Sequence, residues 1–166
     1  IAEKNFKGIV IGNEGDNFSA GANLGMLFML AGNREFQEIN LMIAAFQNTI
    51  MRVRFSSIPV VVATSGLTLG GGCEISMHAD VVRAHTETYM GLVEAGVGII
   101  PSGAGTKEMT LRTADMYRKG DPELNILMEN FMTIATAKVA TSSKEAVSMN
   151  LLRNTDKHTL SRSKLL

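Results

Sequence analysis

The sequence has 166 residues, 45% hydrophobic and 19% charged, so it fits one domain with a buried core and is not of the disordered type. Lys and Arg balance Asp and Glu at 16 each, which argues against nucleic acid or an anionic membrane as the main partner. Cys73 is the only cysteine, which excludes an internal disulfide and is typical of a reducing compartment. We expect no signal peptide, no membrane span and a cytoplasmic location.

Apolar runs and helical patterns alternate in the first half of the chain. Residues 8–12 are an apolar, β-branched run bounded by glycines, which predicts a buried strand. Residues 13–25 are rich in Gly, Asn and Asp and predict a loop. Apolar residues at three- and four-residue steps predict a long helix over 36–53, which ends before Pro59. A second buried strand is predicted over 60–63.

The alternation continues to the end of the chain. The predicted elements are a helix over 74–79, strands over 81–84 and 88–91, helices over 106–117 and 124–137, and a last helix ending at 149. Thr106 and either Ser142 or Ser143 are predicted N-caps, and Pro122 suits a helix start. Strands that are apolar on both faces and alternate with helices predict an α/β fold with a largely parallel sheet.

Three glycines precede a glutamate in the stretch LTLGGGCEIS, residues 67–76. Ordering glycine is entropically costly, so such a run serves a tight turn, close packing or backbone N–H groups aimed at a ligand. A flexible turn with a solvated glutamate stays open as the simpler interpretation. Other glycine motifs fail: Ala104 stands where a P-loop needs lysine, residues 18–25 lack the GxGxxG spacing, and no GxSxG surrounds Ser102.

Two glutamates stand in unusual settings. Glu74 opens a helix directly after the glycines, and Glu94 has apolar neighbours between two glycines. Partial burial of Glu94 would raise its pKa and suit it to general acid work. The competing interpretation is that each glutamate only stabilises a nearby helix N-terminus, by less than about 1 kcal/mol.

Metal binding and thiol chemistry are not indicated. Glu74 and His78 share a helix face, but no further ligand set accompanies them. We therefore expect no metal site and a polar or surface position for His78. Cys73 is expected to be a buried packing residue rather than a nucleophile.

Three segments, in order, resemble the crotonase, or enoyl-CoA hydratase/isomerase, family. They are FSAGANL (18–24), SGLTLGGGCEISMHAD (65–80) and YMGLVEAGVGIIPSGAGT (89–106), and the resemblance extends from about residue 7 to about residue 120. Residues 130–152 resemble the crotonase part of large fatty-acid β-oxidation polypeptides that also carry a 3-hydroxyacyl-CoA dehydrogenase part. This narrower resemblance implies that further chain lies N-terminal to Ile1.

The resemblance implies a fold and an assembly. The fold is a ClpP/crotonase-like spiral of ββα units, truncated at its N-terminus and assembled as a trimer or a dimer of trimers. We expect one domain over residues 1–166, with a core over 1–120 and a helical part over 121–166.

The resemblance also implies roles for individual residues. The N–H groups of Ala22 and Gly71 would form an oxyanion hole for a thioester enolate. Glu74 would orient and deprotonate the water that attacks C3, and Glu94, expected to be the more buried glutamate, would deliver a proton to C2. The remaining residues implied in substrate binding are Ala20, Asn23, Leu24, Gly70 and Gly72.

The implied activity is that of a lyase, an enoyl-CoA hydratase. The alternatives are a Δ3–Δ2 enoyl-CoA isomerase on the same fold and a non-catalytic oligomerisation module. CoA enters as part of the acyl-CoA substrate, no cofactor is expected for residues 1–166, and NAD would be needed only by a dehydrogenase part elsewhere. Residues 26–29 are apolar, and whether they face an acyl chain or the core stays open.

Overall fold

The computed structural model describes residues 2–166, which form a mixed α/β fold. The helices are α1 (Ala2–Asn5), α2 (Leu24–Gly32), α3 (Phe36–Arg54), α4 (Gly71–Met77), α5 (Gly105–Met116), α6 (Glu123–Ala135) and α7 (Ser143–Ser148). The strands are β1 (Ile9–Ile11), β2 (Val60–Leu69), β3 (Val81–Gly91) and β4 (Lys157–Thr159). Two short 3₁₀ helices cover Glu94–Val97 and Arg162–Lys164.

The strands form a four-stranded parallel sheet in the order β1-β2-β3-β4. The parallel sheet is as predicted, but β2 has 10 residues, and the two strands expected over 81–84 and 88–91 are one strand, β3. Both strands run on through buried threonines, and Thr88 Oγ1 donates to the carbonyl oxygen of Thr64 at 3.1 Å. β-Branched threonine suits a strand once its hydroxyl is satisfied.

The core lies where α4, α5 and α7 pack around β3. Its buried members are Cys73, Met77, Val82, Ala84, Met90, Leu92, Met109, Ala140, Ala146, Met149, Leu151 and Leu152. The expectation that every strand is covered on both faces is wrong for β1, where Val10 is 63% exposed. β1 is an edge strand with a single neighbour, β2.

Helix starts depend on caps that the sequence shows only in part. α2 was not predicted; Asn23 Oδ1 caps it by accepting the N–H of Met26 at 3.1 Å. The predicted Thr106 cap is wrong, because the residue at the N-cap position of α5 is Ala104, which has a left-handed φ of +81° and makes no side-chain cap bond of its own. Ser142 is confirmed as the N-cap of α7.

The C-terminal residues add a strand as well as helices. β4 is short and polar, so the apolar pattern did not reveal it, and it pairs with β3 from Arg83↔Lys157 onward. The division of the chain near residue 120 stays a prediction.

α6 turns an apolar stripe toward solvent. The members of this stripe are spaced as one helix face and are between 43% and 68% exposed: Leu124, Leu127, Met128, Phe131 and Met132. Among residues 2–166, no helix has the length and apolar character that a membrane crossing requires.

Candidate active site

One cavity of about 810 Å³ lies among α2, α3, α4 and the loop that follows β3. All nine residues predicted for the site line it: Ala20, Ala22, Asn23, Leu24, Gly70, Gly71, Gly72, Glu74 and Glu94. Three segments that are far apart in the sequence therefore meet at one surface. The volume is typical of small-molecule sites.

Glu74 lies in the first turn of α4 and is 2% exposed. Its Oε1 accepts the N–H of Gly105, at the start of α5, at 2.8 Å. A side chain at Gly103 would overlap Glu74 Oε2, so this turn closes tightly over the carboxylate. Burial raises the pKa of Glu74 to about 7; the charge of Glu94 adds to the rise, while the N–H groups of Gly105 and Gly103 oppose it. The side chain is thus poised to exchange a proton near neutral pH.

Glu94 begins the 3₁₀ helix after β3 and is half-buried. Burial also raises the pKa of its carboxyl group. Its Oε2 atom is buried and has no hydrogen-bond partner among the described residues. The expectation that Glu94 is the more buried glutamate is wrong, because the turn over residues 103–105 covers Glu74 instead.

Close neighbours of residues 70–72 leave no room for a side chain at these positions. Gly70 has φ of +54°, where a side chain is strained, and a Cβ there would lie 3.1 Å from Glu94 Oε1. A Cβ on Gly71 would lie 2.8 Å from the Phe46 ring, and one on Gly72 would overlap Ser19. α4 begins at Gly71, so Glu74 lies within the helix and does not open it. The open alternative of a flexible turn with a solvated glutamate is therefore wrong.

Two residues that line the cavity have backbone N–H groups with no partner in the described chain. They belong to Ala22, in the loop before α2, and to Gly71, and no described residue accepts a hydrogen bond from either. The loop around Ala22 is shaped by Gly21, which has φ of +95° and donates its N–H to Ser19 Oγ at 3.2 Å. Free N–H groups at a cavity wall can stabilise negative charge on a bound oxygen.

A family model described as enoyl-CoA hydratase/isomerase matches residues 2–118. The chain belongs to the enoyl-CoA hydratase/isomerase family. The resemblance to the crotonase family is thereby confirmed. The fold agrees: the chain superimposes on a crystal structure of an enoyl-CoA hydratase from Polaromonas sp. JS666 with a TM-score of 0.75, at 24% identity, over 99% of this chain and 59% of that chain.

Two curated relatives are much longer than this chain. A "Probable 3-hydroxyacyl-CoA dehydrogenase" of Bacillus subtilis (strain 168) is 46% identical over 164 residues, which cover 99% of this chain and 20% of the relative. A "Fatty acid oxidation complex subunit alpha" of Shewanella loihica is 32% identical over 111 residues, covering 65% of this chain and 15% of the relative. The chain thus spans a fifth or less of the length of both.

The wall of the cavity also contains apolar residues that the sequence did not reveal. Phe46 of α3 packs its ring against Gly71 and Gly103, beside the Glu74 carboxylate. The helical period predicted α3, but only the structure shows that Phe46 faces the cavity. Of the apolar residues 26–29, Met26 and Leu27 line the cavity, whereas Phe28 and Met29 are exposed, so a core position is wrong for these last two.

His78 is the site-adjacent residue whose position was predicted wrongly. It is 1% exposed rather than at the surface, and its Nδ1 donates to the carbonyl oxygen of Glu74 at 2.7 Å. Within residues 2–166, no group of three or more His, Cys, Asp or Glu side chains could hold a metal ion. Cys73 is fully buried, as expected, and burial raises the pKa of its thiol well above the ordinary value.

Proposed function

We propose that this chain provides the active site of an enoyl-CoA hydratase, which adds water to trans-2-enoyl-CoA to give 3-hydroxyacyl-CoA. One observation carries the proposal: two carboxyl groups with raised pKa values and two unpartnered N–H groups line the same largely apolar cavity. Hydration of an enoyl thioester needs a base, an acid and stabilisation of an oxyanion, and the cavity offers a group for each.

In the proposed reaction, the oxygen of water forms a bond to C3 while Glu74 accepts a proton from that water. The electrons of the C2=C3 bond move onto the thioester oxygen, where the N–H groups of Ala22 and Gly71 stabilise the enolate. Glu94 then delivers a proton to C2, and exchange with solvent returns both glutamates to their starting states. Loss of one such N–H donor typically costs about 2.7–4 kcal/mol of transition-state stabilisation.

The protonation states expected for Glu74 and Glu94 support one acting as base and the other as acid. Two neighbouring carboxylates resist being ionised together, which favours one proton shared between Glu74 and Glu94. With a pKa of about 7, Glu74 is ionised in a substantial fraction of molecules at neutral pH and is also readily protonated. Such a value is well matched to general base work near pH 7.

We propose further that the chain acts in fatty-acid β-oxidation within a larger polypeptide. The names of the curated relatives support this, since one is named a 3-hydroxyacyl-CoA dehydrogenase and the other a subunit of a fatty acid oxidation complex. A dehydrogenase part would act on the 3-hydroxyacyl product with NAD, and the hydratase site would need acyl-CoA alone. The apolar stripe of α6 is compatible with assembly into a homo-oligomer.

The test is loss of the conjugated enoyl-thioester absorbance with short- and long-chain trans-2-enoyl-CoA, using this chain and the longest natural polypeptide that contains it. Glu74→Gln and Glu94→Gln should each lower the rate by roughly 10²–10⁴-fold. Glu87→Gln, at an exposed position of β3 outside the cavity, is the matched control and should leave the rate unchanged.

The outcomes separate the candidate functions. Hydration that survives both cavity substitutions would refute the assigned roles. Conversion of trans-3-enoyl-CoA without hydration would favour an isomerase. Folded protein without either activity in both preparations would favour an oligomerisation module.

A further inference from the structure

α5 contacts both ends of the short helix that carries Glu74. At its start, Gly105 donates its N–H to the Glu74 carboxylate at 2.8 Å. Two turns later, Arg112 Nη2 donates to the carbonyl oxygen of Met77, the last residue of α4, at 2.8 Å. These two anchor points are seven residues apart, which is roughly 10 Å along a helix. α5 therefore contacts the reactive side chain and the far end of α4 at the same time.

Arg112 is fixed by every nitrogen of its guanidinium group. It is 8% exposed, and its Nε donates to Glu108 Oε1 at 3.2 Å. Its Nη1 donates to the carbonyl oxygens of Asn150 and Leu151 at 3.0 and 2.9 Å. A planar guanidinium group whose nitrogens all donate hydrogen bonds holds its partners in one relative geometry. A flexible lysine with a single ammonium group does not reproduce this geometry.

A second arginine strengthens the same contact. Arg153 Nη2 donates to the Met77 carbonyl oxygen at 3.0 Å and to Glu108 Oε1 at 3.2 Å, and its Nη1 donates to the carbonyl oxygen of Ala79 at 2.9 Å. Arg54, the last residue of α3, donates to the same Glu108 oxygen at 3.3 Å. Glu108 thus gathers three arginines, two of which hold the end of α4.

We propose that Arg112 is a positioning residue for Glu74, an inference that rests on the proposed hydratase function. Arg112 does not line the cavity in the described chain, so it acts through α4. By fixing the Met77 carbonyl relative to Gly105, it sets where the Glu74 carboxylate stands against the reacting water. The binding surface for acyl-CoA does not include Arg112, so its loss should lower kcat and leave KM near the wild-type value.

The test compares Arg112→Met with the control Asn130→Ala in the purified protein. Arg112→Met keeps an apolar side chain of similar length and removes the guanidinium group. We expect kcat to fall roughly 10²-fold, because Glu74 would be slightly displaced from the reacting atoms. Arg112→Lys keeps the charge but not the guanidinium group and should lose most of the same rate. Asn130 is also buried and donates to Thr113 Oγ1 of α5 at 2.8 Å, with no hydrogen bond to α4 among the described residues, so its loss should leave kcat unchanged.

A second readout does not depend on activity. Titration of the ¹³C-labelled Glu74 carboxyl by NMR should show a lower pKa in Arg112→Met, because a displaced carboxylate meets more solvent, and no change in Asn130→Ala. If the wild-type protein does not hydrate enoyl-CoA, the proposed function fails, and this titration still decides the positioning role.

The proposal is overturned if folded Arg112→Met retains the wild-type kcat and Glu74 titration, or if Asn130→Ala shows the same losses. Should Arg112→Met fail to fold, Arg153→Met removes the other donor to Met77 from a side chain that is 28% exposed. A fall in kcat at unchanged KM in Arg153→Met supports the anchoring of Met77, and a wild-type kcat in folded Arg112→Lys overturns the proposal.

Discussion

Glu74 and Glu108 lie on adjacent helices and are equally buried, at 2% exposure each, yet their carboxyl groups behave in opposite ways. Burial raises the pKa of Glu74 to about 7, and its charged neighbour is another carboxylate, Glu94. Burial alone would also raise the pKa of Glu108, but the charges of Arg112 and Arg54 outweigh it and hold that pKa below the ordinary value. Equal burial therefore leaves one carboxyl group that exchanges its proton near neutral pH and another that is ionised there.

The difference between the two carboxyl groups lies in whether each has a positively charged partner. A buried charge is costly unless it is paired and hydrogen-bonded. Glu108 is paired, so it joins α3, α5 and the residues after α7. Glu74 is left with backbone N–H donors and a like charge, and the protein tolerates this cost at the cavity where proton transfer is proposed.

The largest expected effect on stability is that of Glu108→Gln. Removing the anion takes the hydrogen-bonded counter-charge from the buried Arg112, and the free energy of unfolding at pH 7 should fall by about 3–5 kcal/mol. Because the folded pKa of Glu108 is lowered, its contribution is present above the ordinary pKa and is lost as pH falls through the folded value. Urea denaturation of both proteins at several pH values measures this, and an unchanged midpoint at pH 7 would contradict it.

Glu74→Gln should raise the free energy of unfolding rather than lower it. The folded pKa of Glu74 is raised from 4.5 to about 7, so the contribution of Glu74 to stability is fully present below pH 4.5 and is lost as pH rises through 7. Above that range the variant should be more stable by an amount on the order of 3 kcal/mol, with no difference in acid. Thermal unfolding at pH 4 and pH 8 checks this, and a variant less stable than wild type at pH 8 would refute it.

Gly103→Ala tests whether close packing over Glu74 keeps it buried. A Cβ there would overlap Glu74 Oε2 and the Phe46 ring, and such overpacking should cost about 1–3 kcal/mol. The control is Gly32→Ala at the end of α2, where a Cβ meets nothing within 4 Å and should stabilise by about 0.4–1 kcal/mol. Denaturation midpoints of the two variants that move in the same direction would count against the packing argument.

The smallest expected effect is that of Lys107→Met. Its ammonium group lies 3.6 Å from Glu108 Oε2, but the side chain is 41% exposed and three arginines remain. The free energy of unfolding should fall by less than about 1 kcal/mol, as for other exposed ion pairs. Urea denaturation of the variant and the wild type at low and high salt measures this. A loss of stability above about 1 kcal/mol that shrinks at high salt would contradict the prediction.

Sequence reasoning located Glu74 but not Glu108, for a physical reason. Glu74 follows a glycine run and so stands out locally, whereas Glu108 lies in an ordinary polar helix. Arg112 is a local partner four residues later, but Arg54 and Arg153 are 54 and 45 residues away, so the local sequence does not reveal the cluster.

The same limit explains the reversed burial order of Glu74 and Glu94. The turn that covers Glu74 comes 31 residues later, beyond the reach of local periodicity. The apolar strands, the helix of α3 and the glycine loops follow from local pattern, and the family resemblance supplied their arrangement around one cavity.

Cys73 precedes Glu74, is the only cysteine of the sequence and is fully buried with a raised thiol pKa. Thiol reagents attack the thiolate, so they should modify this protein only when α4 opens. The alkylation rate of Cys73 under native conditions therefore reports how often the helix beside the cavity opens, without any substrate. In Arg112→Met that rate should rise, while the exposed control Glu87→Gln should match the wild type.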